Sequence, residues 1–447
     1  MKAAADSAGL PKGVNYLFAF FFFNFVSVMI VMETPIFLYA ESLGASATVM
    51  GLIAGLTPIM VIFQIPAADH VSRIGYKRFI TTGWTIRLVF ILPLIAVPVL
   101  EGRINQQSQL ALVIGALFCF NLIRGIASTG WFPWITGLIP ENVRGRYLTR
   151  ETAANNIGSL VALLIAALYL GANPGPNQFA LLFAFSLVMG LVSLWFVHRV
   201  PDAPVTEENA SNKQPVPWRA ILNHQPFRKL LWVSFTWAVL VGGLLGFMVK
   251  FLKKGPNAMA DDLVLYASAA KFAGGLITIW FLHSRLDRLG SRPLMFLALG
   301  IWAVVVGVWI GMSGGKIPVH FWMVCGVYLV MGFAFATFYM SLTKLVMATV
   351  PEKGKSHFFA LYSVVGSLAV GVFPILWGIF IDTLAAVNVF WMGLIWNQYS
   401  IYFTALLVVL GIVAVLVMRL EEKQAVRVNE LLRDLIRHNP LRDWLRR

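Results

Sequence analysis

The chain has 447 residues, 59% hydrophobic and 12% charged, with a formal net charge of +15. Soluble proteins use about twice that charged fraction, so lipid rather than water surrounds much of this chain, and counting about 150 residues per soluble domain does not apply. The basic excess sits mostly in short loops between apolar runs, a pattern of membrane orientation that argues against a nucleic-acid partner.

The N-terminus, MKAAADSAGLPKG, is short and polar, and the apolar run behind it is too long for a cleaved signal peptide, so it is expected to stay as a first span. A crossing needs about 20 mainly apolar residues. Twelve runs qualify, at about 15–40, 47–68, 77–100, 109–138, 152–171, 178–199, 228–252, 263–283, 293–313, 319–349, 357–382 and 396–418. Lipid leaves no partner for an open backbone, so runs of this length are helices. The expected fold class is an all-α membrane protein. Cys119 and Cys325 lie inside apolar runs with no CxxC and no histidine pair nearby, which reads as two buried structural thiols. No metal and no cofactor is expected.

Loop charge sets the orientation. One side carries Arg73, Lys77 and Arg78, then Arg144, Arg146 and Arg150, then Arg285, Arg288 and Arg292, then Lys353 and Lys355. The other carries Arg103, Lys253, Lys254 and Lys316, partly offset by Glu41, Glu101, Asp261 and Asp262. The richer side is expected to be cytoplasmic, with both termini inside. Residues 200–227, rich in Pro, Asn and Glu, read as a cytoplasmic connector between two halves, 1–199 and 228–418. The tail, 419–447, places Val428, Leu431, Leu432, Leu435 and Ile436 on one face with Arg427, Arg433 and Arg437 around them, a basic amphipathic helix for the membrane surface or a partner.

The loops repeat. SRIGYKR (72–78) follows span two and DRLGSRP (287–293) follows span eight; PENVRGR (140–146) follows span four and PEKGKSH (351–357) follows span ten, and each of the next spans contains GSL. Such an internal duplication of a six-helix half points to a transporter. Twelve spans, the 6+6 duplication, the long central loop and these basic loops resemble the major facilitator superfamily. Its loop pattern G-x-L-A-D-R-x-G-R-K is matched by AADHVSRIGYKR (67–78) and HSRLDRLGSRP (283–293). The second copy keeps Asp287, Arg288 and Gly290; the first keeps Arg73 and Gly75 but has Ser72 in the acidic position, with Asp69 about one helical turn earlier. The resemblance implies that these residues, with Arg144 and Arg146, act in gating, and that spans one, four, seven and ten line a central cavity between two six-helix bundles. The Gly-Pro motif of drug–proton antiporters is missing from span five, NIGSLVALLIAALYLG (156–171), which lowers the case for multidrug efflux.

Ionisable residues deep in a span are costly, roughly 2.5–3.5 kcal/mol on insertion scales, and therefore mark function. Glu33 interrupts MIVMETPIF (29–37); Arg87, Arg124 and Lys271 are the deep cations. Arg124 lies about 14 residues into span four, roughly 21 Å along it at 1.5 Å per residue. It could hold a carboxylate or phosphate in its planar fork, or pair permanently with Glu33. Lys271 lies among small residues that permit close helix approach or leave open volume; a buried lysine shifts its proton affinity readily, so it could serve the substrate, carry a proton or serve structure. Arg87 lies on span three, which the resemblance implies is peripheral, and this favours structural pairing. Lys250, Lys344 and Asp382 lie near span ends, where side chains snorkel to the interface. With the cavity that the resemblance implies, Glu33, Arg124 and Lys271 would converge, with Asn24, Asn121, Asn155, Asn156, Trp131, Trp134, Trp237, Tyr339 and Tyr362 as further candidate contacts.

The excess of deep positive charge points to an anionic small-molecule substrate. A carboxylate whose cationic neighbour comes and goes binds its proton with alternating strength, which would couple transport to protons through Glu33. The expected protein is a monomeric secondary transporter of the plasma (inner) membrane, without a phosphate-binding G-x-x-x-x-G-K-[ST] loop. A lipid or lysolipid flippase and an efflux pump are rivals of the same fold. An integral-membrane enzyme or a receptor is the rival from another class; the histidines, at loops and span ends, lack metal-ligand spacing.

Overall fold

The computed structural model describes residues 13–139, 141–202, 223–254, 258–282, 290–350 and 355–420. The connector 203–222, the tail 421–447, and Asp287 and Arg288 lie outside the described residues. Twelve helical segments are long and apolar enough to cross a membrane among the described residues. Spans 1–6 are Asn15–Ser42, Ala47–Ala67, Tyr76–Val99, Gln106–Leu138, Arg150–Leu170 and Pro176–Val197. Spans 7–12 are Gln225–Leu252, Asp261–Phe281, Ser291–Ser313, Phe321–Thr349, Leu361–Thr383 and Gln398–Met418.

Two features depart from a plain stack of rods. Several spans are broken. Span 1 is two helices, Asn15–Met32 and Thr34–Ser42, and span 7 is Gln225–Val241 and Leu244–Leu252. In addition, a β-hairpin, β1 (Asn388–Trp391) and β2 (Leu394–Asn397), joins spans 11 and 12 where an all-α reading left a plain loop. The segment PENVRGR also differs from its loop reading: a single helix runs from Glu141 to Leu170, because the hydropathy of a span reports only its lipid-facing part.

The chain clusters into two compact units. Unit 1 is Met1–Pro215 with Gly242–Ala269 and Val370–Asp382; unit 2 is Val216–Val241 with Ala270–Ala369 and Thr383–Arg447. In unit 1, span 1 lies against spans 5 and 6, and its core is aromatic: Phe20 stacks on Trp84 at 5.0 Å, and Tyr39 lies 5.0 Å from Phe179. In unit 2, span 9 packs on spans 10 and 12, with Trp309 stacked on Phe403 at 5.4 Å and Trp237 stacked on Phe338 at 3.8 Å.

The repeated loops share one backbone shape. Gly75 (φ 92, ψ 143) opens the helix Tyr76–Val89 and Gly290 (φ 78, ψ 156) opens Ser291–Ser313. That region is almost closed to residues with a Cβ. Gly75→Ala and Gly290→Ala are each expected to cost about 1 kcal/mol or more. Gly115→Ala, at a helical site with nothing within 4 Å of an added Cβ, should be neutral or stabilising. Thermal unfolding in detergent of the three variants checks the contrast.

Candidate functional site

Glu33 answers for the break in span 1. Its backbone is extended (φ −114, ψ −154), and Pro35 sits in the first turn of the second helix, where a missing N–H costs little. The Glu33 N–H donates to Met29 O at 3.1 Å and its carbonyl accepts from Ile36 at 3.1 Å, so the joint keeps its local backbone bonds. The side chain is partly accessible. Span 7, the repeat of span 1, breaks at Gly243 in a left-handed conformation (φ 72). Paired interruptions in corresponding spans of the two halves are the best sequence-level pointer to a transporter's binding region.

Arg87 and Arg124 lie in unit 1 with Glu33. Arg87 is 2% exposed. Its Nη2 donates to Asn24 Oδ1, its guanidinium lies 5.3 Å from the centre of Trp84 and 5.6 Å from that of Phe120, and its Nε has no partner among the described residues. Phe120 is one helical turn from Arg124 on span 4, which brings the second guanidinium to the same neighbourhood. Arg124 is partly accessible, and its guanidinium has no hydrogen bond or ion pair among the described residues. The permanent Glu33–Arg124 pair allowed by the sequence is therefore not formed. Asn121 is committed elsewhere: its Oδ1 accepts from Thr57 Oγ1 at 2.7 Å and its Nδ2 donates to Leu117 O at 2.8 Å, tying span 4 to span 2. Trp131 is part of an aromatic cluster, 5.3 Å from Trp84 and 5.5 Å from Phe21, with Trp134 edge-on at 5.8 Å.

Lys271, Tyr339 and Tyr362 belong to unit 2. The small residues around Lys271 do serve close approach. A Cβ on Gly332 would stand 1.9 Å from the Lys271 carbonyl oxygen, and one on Gly274 would stand 2.0 Å from that of Leu329, so spans 8 and 10 meet backbone to backbone. The Lys271 amine sits 4.7 Å from the Phe272 ring centre. Tyr339 is 55% exposed and stacks on Phe335, while Tyr362 hydrogen-bonds Ser234 of span 7. Of the gating candidates, Arg73 is exposed in the last turn of the helix Gln64–Ile74. The backbones of Asp69, Arg144 and Arg146 are helical, and their side chains lie outside the described residues. The two cysteines are free and partly accessible rather than fully buried. No cluster of His, Cys, Asp and Glu suited to a metal occurs among the described residues.

A polar lock at one end of unit 1 escaped the sequence reading. Asp382 accepts from Ala47 N at 3.0 Å, Thr48 N at 2.8 Å and Thr48 Oγ1 at 2.7 Å. Its carboxylate thus covers the N-terminus of span 2, where orphan amides and the helix dipole favour an anion. Lys250, expected to snorkel, instead donates to Ala45 O. Lys253 pairs with Asp261 at 2.6 Å, and the amides of Asp261 and Asp262 donate to Ala172 and Gly171 of span 5. A signal for Asp382 existed. An acid in the last turn of a helix faces the wrong end of its own dipole, and so calls for a partner on another element.

The comparisons with known proteins fit this architecture. A family model described as Major Facilitator Superfamily matches residues 16–280 and 256–445. The chain belongs to the major facilitator superfamily. This makes it a multi-pass membrane transporter of the secondary kind rather than an enzyme. Superfamily structures share its fold. A point mutant of the nucleoside transporter NupG superposes with a TM-score of 0.68 at 14% identity, covering 92% of this chain and 100% of that one. The E. coli xylose transporter XylE gives 0.63 at 15% identity, covering 94% and 98%. A bacterial homolog of the human lysosomal transporter Spinster gives 0.61 at 13% identity, covering 91% and 95%. No curated protein sequence matches the chain significantly.

Proposed function

We propose that this transporter moves a small anionic solute by alternating access, coupled to protons. The observation that carries the reading is Arg124: a guanidinium deep in span 4, partly accessible, without a hydrogen bond or ion pair among the described residues, beside a second buried arginine. Two cations in a low-dielectric setting are costly unless an anion joins them, and a planar fork binds carboxylate or phosphate well. In this reading Arg124 anchors the anion in unit 1, and Lys271 of unit 2 is a separate candidate for charge in the transport cycle. Glu33, at the break of span 1, carries the coupling proton. Asn24 holds Arg87 in place, Asn121 fixes spans 2 and 4 around the site, and Trp131 shapes its wall, while Tyr339 and Tyr362 are candidate contacts within unit 2. The glycines, acids and arginines of the repeated loops (Asp69, Arg73, Gly75, Asp287, Arg288, Gly290, Arg144 and Arg146) serve the gating step. A structural relative described as a D-xylose–proton symporter gives proton coupling a precedent on this fold. The protein works as a monomer in the plasma (inner) membrane with both termini cytoplasmic, following its loop charge.

The test is thermal unfolding of the purified protein with anionic, neutral and cationic solutes, in wild type and Arg124→Ala. A ligand at about 100 times its Kd adds about 2.7 kcal/mol to the folded state. Anions are expected to raise the Tm of the wild type and leave Arg124→Ala unmoved, and Glu33→Gln should abolish solute-driven proton movement in vesicles. Stabilisation by neutral, cationic or lipid-like compounds alone would sink the anion reading.

A further inference from the structure

We infer that the β-hairpin between spans 11 and 12 is a lipid anchor whose tip enters the headgroup–acyl boundary of the membrane. The segment Leu384–Asn397, LAAVNVFWMGLIWN, contains no charged residue, which is unusual for a loop that lies in water. It nevertheless presents its apolar side chains outward: Phe390 is 75% exposed, Trp391 59% and Met392 77%. The hairpin is not loose. Ile395 N donates to Gly314 O at 2.9 Å and Asn397 Nδ2 donates to Ser313 O at 2.7 Å, while Asn397 Oδ1 caps span 12 by accepting from Tyr399 and Ser400. A rigid frame rooted on the ends of spans 9 and 12 therefore holds the tip in place.

The turn makes the same point. Trp391 pairs with Leu394, leaving Met392 (φ 53) and Gly393 (φ 76) as a two-residue turn with both residues at positive φ. Asn or Asp is the usual first residue of such a turn, and Met392 is the one non-glycine residue at positive φ among the described residues. An apolar side chain at the tip is kept at a site whose backbone disfavours it.

Continuity with the lipid-facing surface identifies the occupant. Trp322, 81% exposed, opens span 10 at the same end of unit 2 as the hairpin. Trp232 and Trp280, 55% and 57% exposed, stand toward the opposite end, near the start of span 7 and the end of span 8. Tryptophans at both ends of a spanning bundle form the belts that sit at headgroup level, and Phe390–Met392 extends one belt sideways. Because the segment has no charge, its insertion rests on apolar area and is indifferent to headgroup charge and salt.

The test uses the full chain in nanodiscs, with Cys119→Ser and Cys325→Ser and one spin label, at Phe390→Cys or at Gln107→Cys, an exposed polar position at the start of span 4. Accessibility to oxygen and to a water-soluble nickel chelate is read by electron paramagnetic resonance. The oxygen-to-nickel ratio is expected to be several-fold higher at 390 than at 107, equally so in phosphatidylcholine and in phosphatidylglycerol, and unchanged by salt. A ratio at 390 no higher than at 107 overturns the anchor, because the tip is then in water. A label shielded from both reagents also overturns it, since the tip is then packed on protein. In that case, spin–spin broadening that vanishes on dilution with unlabelled protein identifies a second copy as the occupant.

Discussion

Asp382→Ala is expected to open the lock at the end of unit 1. The substitution removes all three hydrogen bonds to the N-terminus of span 2 and leaves the amides of Ala47 and Thr48 without that acceptor. Hydrogen bonds to a charged group are worth about 1.5–3 kcal/mol each, and the site is only part-buried, so the expected net cost is about 2–4 kcal/mol. Each 1.4 kcal/mol is tenfold in an equilibrium, so local opening of the first turns of span 2 rises about 30- to 700-fold. Hydrogen–deuterium exchange over residues 46–59 measures it. Asp382→Asn, which keeps one acceptor oxygen, should fall between the two. Identical exchange in wild type and Asp382→Ala would show that the carboxylate contributes nothing to this end. The neighbouring backbone contact gives an independent handle. A Cβ on Gly55 would stand 2.2 Å from Gly371 O and one on Gly51 2.1 Å from Pro374 O, so spans 2 and 11 meet here at the closest distance that helices allow.

Gly332→Val should be the most damaging single change in unit 2. Its added Cβ meets backbone, the Lys271 carbonyl at 1.9 Å and its carbon at 2.7 Å, so no rotamer can relieve it. Overpacking usually costs about 1–3 kcal/mol, and a clash with a neighbouring main chain belongs at or above the top of that range. Thermal unfolding should show a drop of several degrees, larger than for Gly326→Ala on the same helix, where an added Cβ meets nothing within 4 Å. Because the contact is with Lys271 itself, a variant that still folds is expected to lose transport as well. A folded and fully active Gly332→Val protein would count against the role proposed for Lys271 in transport.

The spans were legible because lipid demands length and apolarity, and both can be counted along a sequence. The repeat was legible because SRIGYKR and DRLGSRP put a glycine where the backbone needs positive φ, at Gly75 and Gly290. Interruptions inside spans were harder to see. Pro35 and the Gly242–Gly243 pair signal them, but an apolar count runs straight across Glu33. The hairpin stayed hidden because four-residue strands of Val, Phe, Trp and Ile beside span 12 read as loop and helix end. Asp382 reads from the sequence as an interfacial side chain because its partners, Thr48 and Ala47, lie more than 330 residues away. The deep charges stood out at once; what each one touches depends on which helices are neighbours. Thus Asn121, a candidate contact for substrate, turned out to hold Thr57, and Arg87 to hold Asn24.

The break in span 7 has a mechanical meaning. Among the described residues the polypeptide passes between the two units four times, at 241/242 in span 7, at 269/270 in span 8, and at 369/370 and 382/383 in span 11. At the first crossing the helix has already ended, and Gly243 carries the chain round in a left-handed conformation. The third crossing lies a few residues before Gly371 and Pro374, and Pro374 removes one rung of the helical ladder. The second is followed closely by Gly274 and Gly275. The crossings at 241/242 and 369/370 thus lie at or near a break in helical hydrogen bonding, where the backbone of a span resists bending least.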